Sequence, residues 1–214
     1  MENGAGFANL RADVEAFVRK EMEGYDPSHG ALALDLAKRE NVEDLEVVEL
    51  AALLHDVKDH KYAAEGEDAG SAIHSLLDGR MDAPRVERIV STVENVSFSK
   101  QMKRKEPLEM TPELAVVQDA DRLDAIGAIG IARCFAFGGS RDRALYTVRD
   151  GRVRIDGEKD DASSLGHFYE KLLRIKDFLN TPSGKAEGAA RHAMLEAFTS
   201  QLVKESGLEA EPKQ

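Results

Sequence analysis

The segment from Leu45 to His55 constrains the fold more than any other part of this chain of 214 residues. It reads Leu-Glu-Val-Val-Glu-Leu-Ala-Ala-Leu-Leu-His and places apolar residues on nearly every side of a helix. Such a helix has to be buried, so other elements must surround it. Apolar residues recur at helical spacing in most of the remaining chain, which predicts that those elements are helices too. The sequence therefore predicts an all-α fold with a buried central helix.

Helical periodicity and end signals predict a single helical bundle of about seven or eight helices. One long helix is predicted from Pro112 to about Phe137, where two glycines follow. Alternating residues around Asp150-Gly151 differ from this pattern and predict a small β-hairpin excursion at about 144–156. The predicted domain covers 1–206, with its core at about 25–205, and the polar C-terminal tail over 207–214 is expected to fray.

Charge and composition exclude several classes of function. The net charge of −11 disfavours nucleic-acid binding, which needs a basic surface. No apolar run approaches the ~20 residues of a membrane span, so no membrane association is expected. Cys134 is the single cysteine, which rules out an intramolecular disulfide and favours a reducing, cytoplasmic location. A small anionic substrate is still compatible, because it needs only a local basic patch, and so is an oligomer.

His55 and Asp56 stand side by side where the central apolar helix ends. Imidazole and carboxylate are ligands that hold catalytic divalent metals in proteins. The dipeptide alone is a weak signal, since it arises easily by chance. Its meaning depends on whether the rest of the chain supplies partners.

A second group of carboxylates lies on an otherwise apolar helical segment and comprises Asp119, Asp121 and Asp124. Asp121 and Asp124 are three residues apart and face a similar direction. Carboxylates on such a helix are costly unless each has a partner. A metal ion would be one partner, and local pairing of Asp121 with Arg122 or Arg133 is the alternative.

Basic residues form a third group. Phosphoryl chemistry uses such groups to neutralise the oxygens of the transferring phosphate. Each one alone is better explained as a solvated surface charge. The members of this group are Lys58, Lys61, Arg122, Arg133, Arg141 and Lys171.

His55-Asp56, followed some 65 residues later by Asp121 in Ala-Asp-Arg-Leu, resembles the HD superfamily of metal-dependent phosphohydrolases. The stretches 46–57, 118–133 and 167–173 resemble in particular its bacterial and plant YpgQ- and YedJ-like subgroup. The resemblance implies one divalent metal held by two histidines and two aspartates, with His55, Asp56 and Asp121 among them. Manganese is the expected ion, and magnesium, cobalt, nickel, iron or zinc are alternatives. Members of the subgroup release pyrophosphate from nucleoside triphosphates, which implies a small phosphorylated substrate, first of all a nucleotide.

The chain departs from the family pattern at the fourth metal ligand. About eight residues of the pattern are absent after Ser28-His29, and the 26-residue interval from His29 to His55 is about three residues short. Three residues are close to one helical turn. Either His29 serves as the ligand from one turn further along its helix, or the site has lost a ligand. We assign His29 as the best available histidine.

These observations predict a metal-dependent phosphohydrolase that uses metal-activated water. Asp59, Asp119 and Asp124 are the candidate general bases or orienting groups. The candidate substrate-binding residues are Lys58, Lys61, Arg122, Arg133, Lys171 and His167. The alternative is a nucleotide-binding or regulatory protein with an incomplete metal site and little activity. A helical interaction module without a pocket would leave the carboxylates on the apolar helix unexplained.

Overall fold

The computed structural model describes residues 2–21, 28–57 and 69–212, and these divide between two compact units, Met1–Asp121 and Arg122–Gln214. The predicted all-α class is confirmed, and the described residues contain ten α-helices rather than seven or eight. Up to the boundary between the units, the helices are α1 (Glu2–Glu21), α2 (Ser28–Arg39), α3 (Leu45–Leu54), α4 (Ala69–Leu77), α5 (Ala83–Val96), α6 (Phe98–Lys103) and α7 (Pro112–Asp124). The rest of the chain forms α8 (Gly127–Ser140), β1 (Val148–Arg149), β2 (Arg152–Val153), α9 (Ser164–Glu170), a 3₁₀ helix (Leu172–Phe178) and α10 (Pro182–Glu205). The prediction of one domain over 1–206 stays a prediction.

Helix α3 is the buried centre of the first unit, as its apolar sequence predicts. Seven of its ten residues are buried, and α1, α2 and α5 pack around it. Fully burying a Val or Leu side chain stabilises the fold by about 1.5–3 kcal/mol. The helix begins after Asp44, whose side chain accepts a hydrogen bond from the Val47 amide at 3.3 Å. It ends at Leu54 with His55 as the C-cap, so one buried helix fixes the position of the most informative pair in the sequence.

The predicted long helix from Pro112 to Phe137 is instead two helices, α7 and α8. Gly127 has φ of 77°, in the left-handed region that non-glycine residues avoid, so the first helix cannot continue through it. A Cβ atom on Gly130 would collide with the backbone carbonyl of Ala125, which only a glycine permits to approach so closely. Apolar residues continue through the break without interruption, so the hydrophobic periodicity of the sequence does not reveal it.

The second unit packs α8, α9, the 3₁₀ helix and α10 together. Three aromatic rings pack together within it, on Phe135, Phe168 and Phe198, with ring centroids 5.5–5.8 Å apart. Aromatic pairs at these distances contribute about 0.5–1.5 kcal/mol beyond the area they bury.

The predicted hairpin is confirmed. Strand β1 pairs with β2 in antiparallel register, Val148 opposite Val153, and the turn residues Asp150 and Gly151 have φ of 51° and 76°. Two positive φ values are the signature of a type I′ turn, which matches the twist of the strands it joins.

The C-terminal tail does not fray within the described residues. The Val153 amide donates to the Glu209 carbonyl at 2.9 Å, and the Glu211 amide donates to the Val153 carbonyl at 2.9 Å. Arg149 also donates two hydrogen bonds to the Glu211 carboxylate, at 2.7 and 2.9 Å. The tail therefore adds a short parallel segment beside β2, a pairing that its polar composition does not reveal.

No single helix within the described residues has the length and apolar character needed to cross a membrane. One bent pair, α7 with α8, meets that test only when the two helices are taken together.

Candidate metal centre

The backbone carbonyl of Ala52 orients the imidazole of His55. The His55 side chain is 7% exposed, and its Nδ1 atom lies 2.7 Å from this carbonyl oxygen. A carbonyl oxygen can only accept, so Nδ1 must carry the proton and donate it. In the neutral ring, Nε2 is then the nitrogen with the free lone pair, the form in which a histidine binds a metal.

Two carboxylates surround the other ring nitrogen with negative charge. His55 Nε2 lies 3.1 Å from an oxygen of Asp56, which is about half exposed. Burial by itself lowers the pKa of His55. The hydrogen bond and charge of Asp56, the charge of Asp121 and the Ala52 carbonyl outweigh burial and raise this pKa to about 9. A positive charge is thus stabilised at this position, whether it is a proton on the ring or a bound cation.

The donor set fits a divalent metal in its chemistry. Imidazole and carboxylates are suitable ligands, and metal-binding histidines typically donate their second ring nitrogen to a carbonyl or carboxylate, as His55 does. Within the described residues, however, no group of three histidine, cysteine, aspartate or glutamate side chains converges closely enough to hold an ion. His29 lies in the first turn of α2, and its side chain is outside the described part of the chain.

The remaining carboxylates of α7 lie in different environments. Asp119 is fully buried, whereas Asp124 forms an ion pair with Arg133. Local pairing, the alternative to a metal for these carboxylates, therefore applies to Asp124. Arg122 is also buried, with 1% of its surface exposed.

His167 and Lys171 are neighbours at α9. The Lys171 amide donates to the His167 carbonyl at 3.0 Å, and His167 Nδ1 lies 3.4 Å from a Glu170 carboxylate oxygen. Burial lowers the pKa of His167, and the charges of Lys171 and Arg143 lower it further, against the opposing effect of Glu170. The three other predicted residues, Lys58, Asp59 and Lys61, lie outside the described residues.

A network of ion pairs at the opposite end of α3 was not predicted. Arg85 donates to both oxygens of Asp44, at 2.6 and 2.9 Å, and to Glu46. Arg88 links Asp44 to Glu113, at 2.6 and 2.8 Å. The only sequence signals were an aspartate at a helix start and two arginines three residues apart on α5.

The same ion-pair network lines an open groove of about 820 Å³ in the first unit. The groove lies one helix length from His55, about 15 Å for the ten residues of α3. It is therefore separate from the candidate metal centre.

Comparison with known proteins settles the family. The family model described as HD domain matches residues 29–126. YpgQ of Bacillus subtilis strain 168, described as uncharacterized, is 35% identical over 208 residues that cover 94% of this chain and 95% of the relative. The chain belongs to the HD-domain family. HD domains generally depend on a divalent metal.

Solved HD-domain structures agree with this assignment. The crystal structure of Bacillus subtilis YpgQ in complex with ADP superposes with a TM-score of 0.70 and 32% identity, over 91% of this chain and 97% of that one. An HD-superfamily hydrolase from Bacillus thuringiensis gives a TM-score of 0.71 and 31% identity, over 94% of this chain and 98% of that one. The HD-domain family to which the chain belongs thus includes hydrolases of the same fold and length.

Proposed function

We propose that this chain is a metal-dependent phosphohydrolase that acts on a nucleotide or a related small phosphate compound. The observation that carries the proposal is the orientation of His55, whose Nδ1 proton is held by the Ala52 carbonyl while Nε2 lies beside Asp56. A buried histidine oriented in this way beside a half-exposed carboxylate is suited to bind a cation. The ADP in the YpgQ complex supports a nucleotide as the substrate class.

Four residues would hold the ion: His29, His55, Asp56 and Asp121. A divalent metal, when bound, lowers the pKa of water and polarises a phosphoryl oxygen. The Nδ1–H group of His55 keeps donating to the Ala52 carbonyl, so His55 orients the site without transferring a proton. Asp56 is exposed enough to exchange between solvent and a bound cation.

The acid–base and phosphate-binding roles are distributed over the remaining predicted residues. Asp59 is the preferred candidate for the general base, because Asp119 is fully buried and Asp124 is paired with Arg133. Lys58, Lys61, Arg122, Arg133, His167 and Lys171 are proposed to bind phosphate oxygens. A cytoplasmic location and the absence of nucleic-acid partners are part of the same proposal.

Hydrolysis assays with a panel of nucleotides test this function. We expect turnover of at least one nucleotide when manganese or another divalent metal is added. The Asp121→Asn variant should lose this turnover, because the substitution removes a charged ligand and preserves shape. Asp35→Asn is the matched control, since Asp35 lies on α2 and pairs with Arg39 at the surface. No turnover by the wild type with any metal, or equal turnover in Asp121→Asn, would refute the proposal.

A second candidate function is a nucleotide-binding or regulatory protein with little activity. The shortened segment at Ser28-His29 favours it, because it puts the fourth ligand in doubt. Metal analysis of the purified protein separates the two. One tightly bound equivalent supports the hydrolase, whereas nucleotide binding without bound metal supports the regulatory protein.

A further inference from the structure

Two arginines, Arg141 and Arg143, lie over the ring of Phe137, an exposed phenylalanine near the end of α8. Phe137 is 50% exposed. The guanidinium carbons of Arg141 and Arg143 lie 5.4 and 5.1 Å from its ring centroid. Both distances are within the range of cation–π interactions, so one ring contacts two cations.

The backbone fixes this arrangement. The amides of Arg141 and Arg143 both donate to the carbonyl of Gly138, at 3.1 and 2.9 Å. Asp142 between them has φ of 52°, in the left-handed region. In an extended chain, residues on either side of a central one lie far apart, but the left-handed turn folds them around a single carbonyl. Both side chains therefore reach the same ring.

The two arginines differ from most other arginines of this acidic chain. Among the described residues, neither Arg141 nor Arg143 forms an ion pair with a carboxylate, and Asp142 pairs with neither. Several other arginines do form such pairs: Arg85, Arg88, Arg133, Arg149, Arg152 and Arg154. In a chain of net charge −11, two neighbouring cations that form no ion pair with a described carboxylate make a local positive site.

The positive field of this site extends to α9. Burial lowers the pKa of His167, and the charges of Lys171 and Arg143 lower it further against the opposing effect of Glu170, so Arg143 acts across to that helix.

We propose that Phe137, Arg141 and Arg143 form a binding surface for an oligophosphate chain. A guanidinium attracted to a ring face keeps N–H groups that can donate in pairs to phosphate oxygens. Both guanidiniums lie over the ring, so we expect the surface to bind the phosphate chain rather than a nucleobase. Three residues are also far too few for a protein partner, which needs about 800 Å² on each side. The choice of an oligophosphate as the anion rests on the proposed function.

Calorimetric titration of the full-length protein in EDTA tests the surface without a metal. We expect inorganic tripolyphosphate and ADP to bind and adenosine not to bind. The double variant Arg141→Gln, Arg143→Gln should weaken tripolyphosphate binding at least tenfold. The charge-preserving double variant Arg141→Lys, Arg143→Lys should weaken it less, because lysine keeps the charge but loses paired donation.

Arg152→Gln is the matched control, because Arg152 is a similarly exposed arginine that already pairs with Glu209. It should bind tripolyphosphate as the wild type does. Wild-type affinity in the double glutamine variant, or adenosine binding as tightly as ADP, would overturn the proposal. The surface and the proposed function fail separately. Asp121→Asn should still bind tripolyphosphate even if the chain hydrolyses no nucleotide. Conversely, if the enzyme is active but the double glutamine variant binds tripolyphosphate as the wild type does, the surface is refuted and the proposed function is not.

Discussion

His55 donates its Nδ1 proton to the Ala52 carbonyl, three residues earlier on the same helix, at 2.7 Å. The partner is backbone and lies inside the buried centre of the first unit, so ordinary surface substitutions cannot remove it. The ring orientation is thus a property of α3 itself. This relationship makes His55 the most firmly placed member of the candidate site.

We therefore predict that His55 is the Nδ1–H tautomer in protein loaded with a diamagnetic divalent metal. Nitrogen-15 NMR of the histidine rings measures this directly, with a protonated Nδ1 and an unprotonated Nε2 as the expected pattern. His74 serves as an internal reference, because its side chain is 45% exposed. An Nε2–H tautomer of His55 would contradict the assignment of Nε2 as the ligating atom.

Replacing His55 by glutamine should abolish metal-supported hydrolysis under the proposed function. Loss of an outer-shell partner typically lowers affinity or activity by about 10–100-fold, and loss of a ligand should exceed that range. The measurement is kcat/KM with added manganese, together with the metal content of the purified variant. His74→Gln is the control and should behave as the wild type. Activity within tenfold of the wild type in His55→Gln would exclude His55 as a ligand.

The ion pairs of Asp44 should make stability depend on pH. Burial raises the pKa of this carboxyl, but the hydrogen bonds from Arg85 and the Val47 amide, together with the charge of Arg85, hold the pKa below its ordinary 3.8. Near pH 4 the unfolded chain therefore binds more protons at Asp44 than the folded chain does. The stabilisation is complete above that pH and is lost as pH falls through the lower folded-state pKa.

Urea unfolding of Asp44→Asn from pH 7 to pH 3 checks this dependence. At pH 7 we expect a loss of about 1–2 kcal/mol, since hydrogen bonds to charged groups are strong but both arginines are partly exposed. The difference from the wild type should shrink below about pH 4. Asp82→Asn is the control, because Asp82 caps α5 through the Arg85 amide without an arginine side chain on it. A difference that stays constant with pH would show that the carboxylate charge does not contribute.

Two glycines of α8 should respond oppositely to alanine. Gly130→Ala should lower the free energy of unfolding by about 1–3 kcal/mol, because the new Cβ meets the Ala125 backbone carbonyl, which cannot move aside easily. Gly139 has open space at the Cβ position, so Gly139→Ala should leave stability unchanged or raise it by up to about 1 kcal/mol. Thermal unfolding of both variants measures the difference. Equal effects would mean that the corner between α7 and α8 relaxes freely.

Shortening the chain to end at Gly207 should expose one edge of the hairpin. The Val153 amide then loses the Glu209 carbonyl, and its hydrogen exchange should become faster. The Arg154 amide donates to Thr147 within the hairpin and should keep its protection, so it is an internal control. NMR-detected exchange resolves the two amides. Unchanged protection at Val153 would show that the tail does not hold this strand.

The sequence predicted best where one local pattern determines the structure. The apolar run of α3 required burial, and Asp150-Gly151 required a tight turn; both are confirmed. The break before Gly127 was missed because it depends on a backbone torsion and on the close approach of the Ala125 carbonyl. Neither changes the apolar pattern.

The candidate site shows the same division. His55 and Asp56 were predicted because they are adjacent in sequence, and the charge of Asp121 contributes to the raised pKa of His55. The sequence offered Arg133 as an alternative partner of Asp121. The structure pairs Arg133 with Asp124, and only side-chain positions reveal this pairing. The arginines around Phe137 gave no joint signal, since a left-handed Asp142 is what brings them together.

Helix α3, which is capped by Asp44 at its start and by His55 at its end, also carries a helix dipole. The peptide dipoles of a helix add up to roughly half a positive charge at its start and half a negative charge at its end. The Asp44 carboxylate lies at the positive end, and the imidazole of His55 lies at the negative end. The peptide groups of α3 therefore favour a cation beside His55 by about 0.3–1 kcal/mol before any side chain contributes.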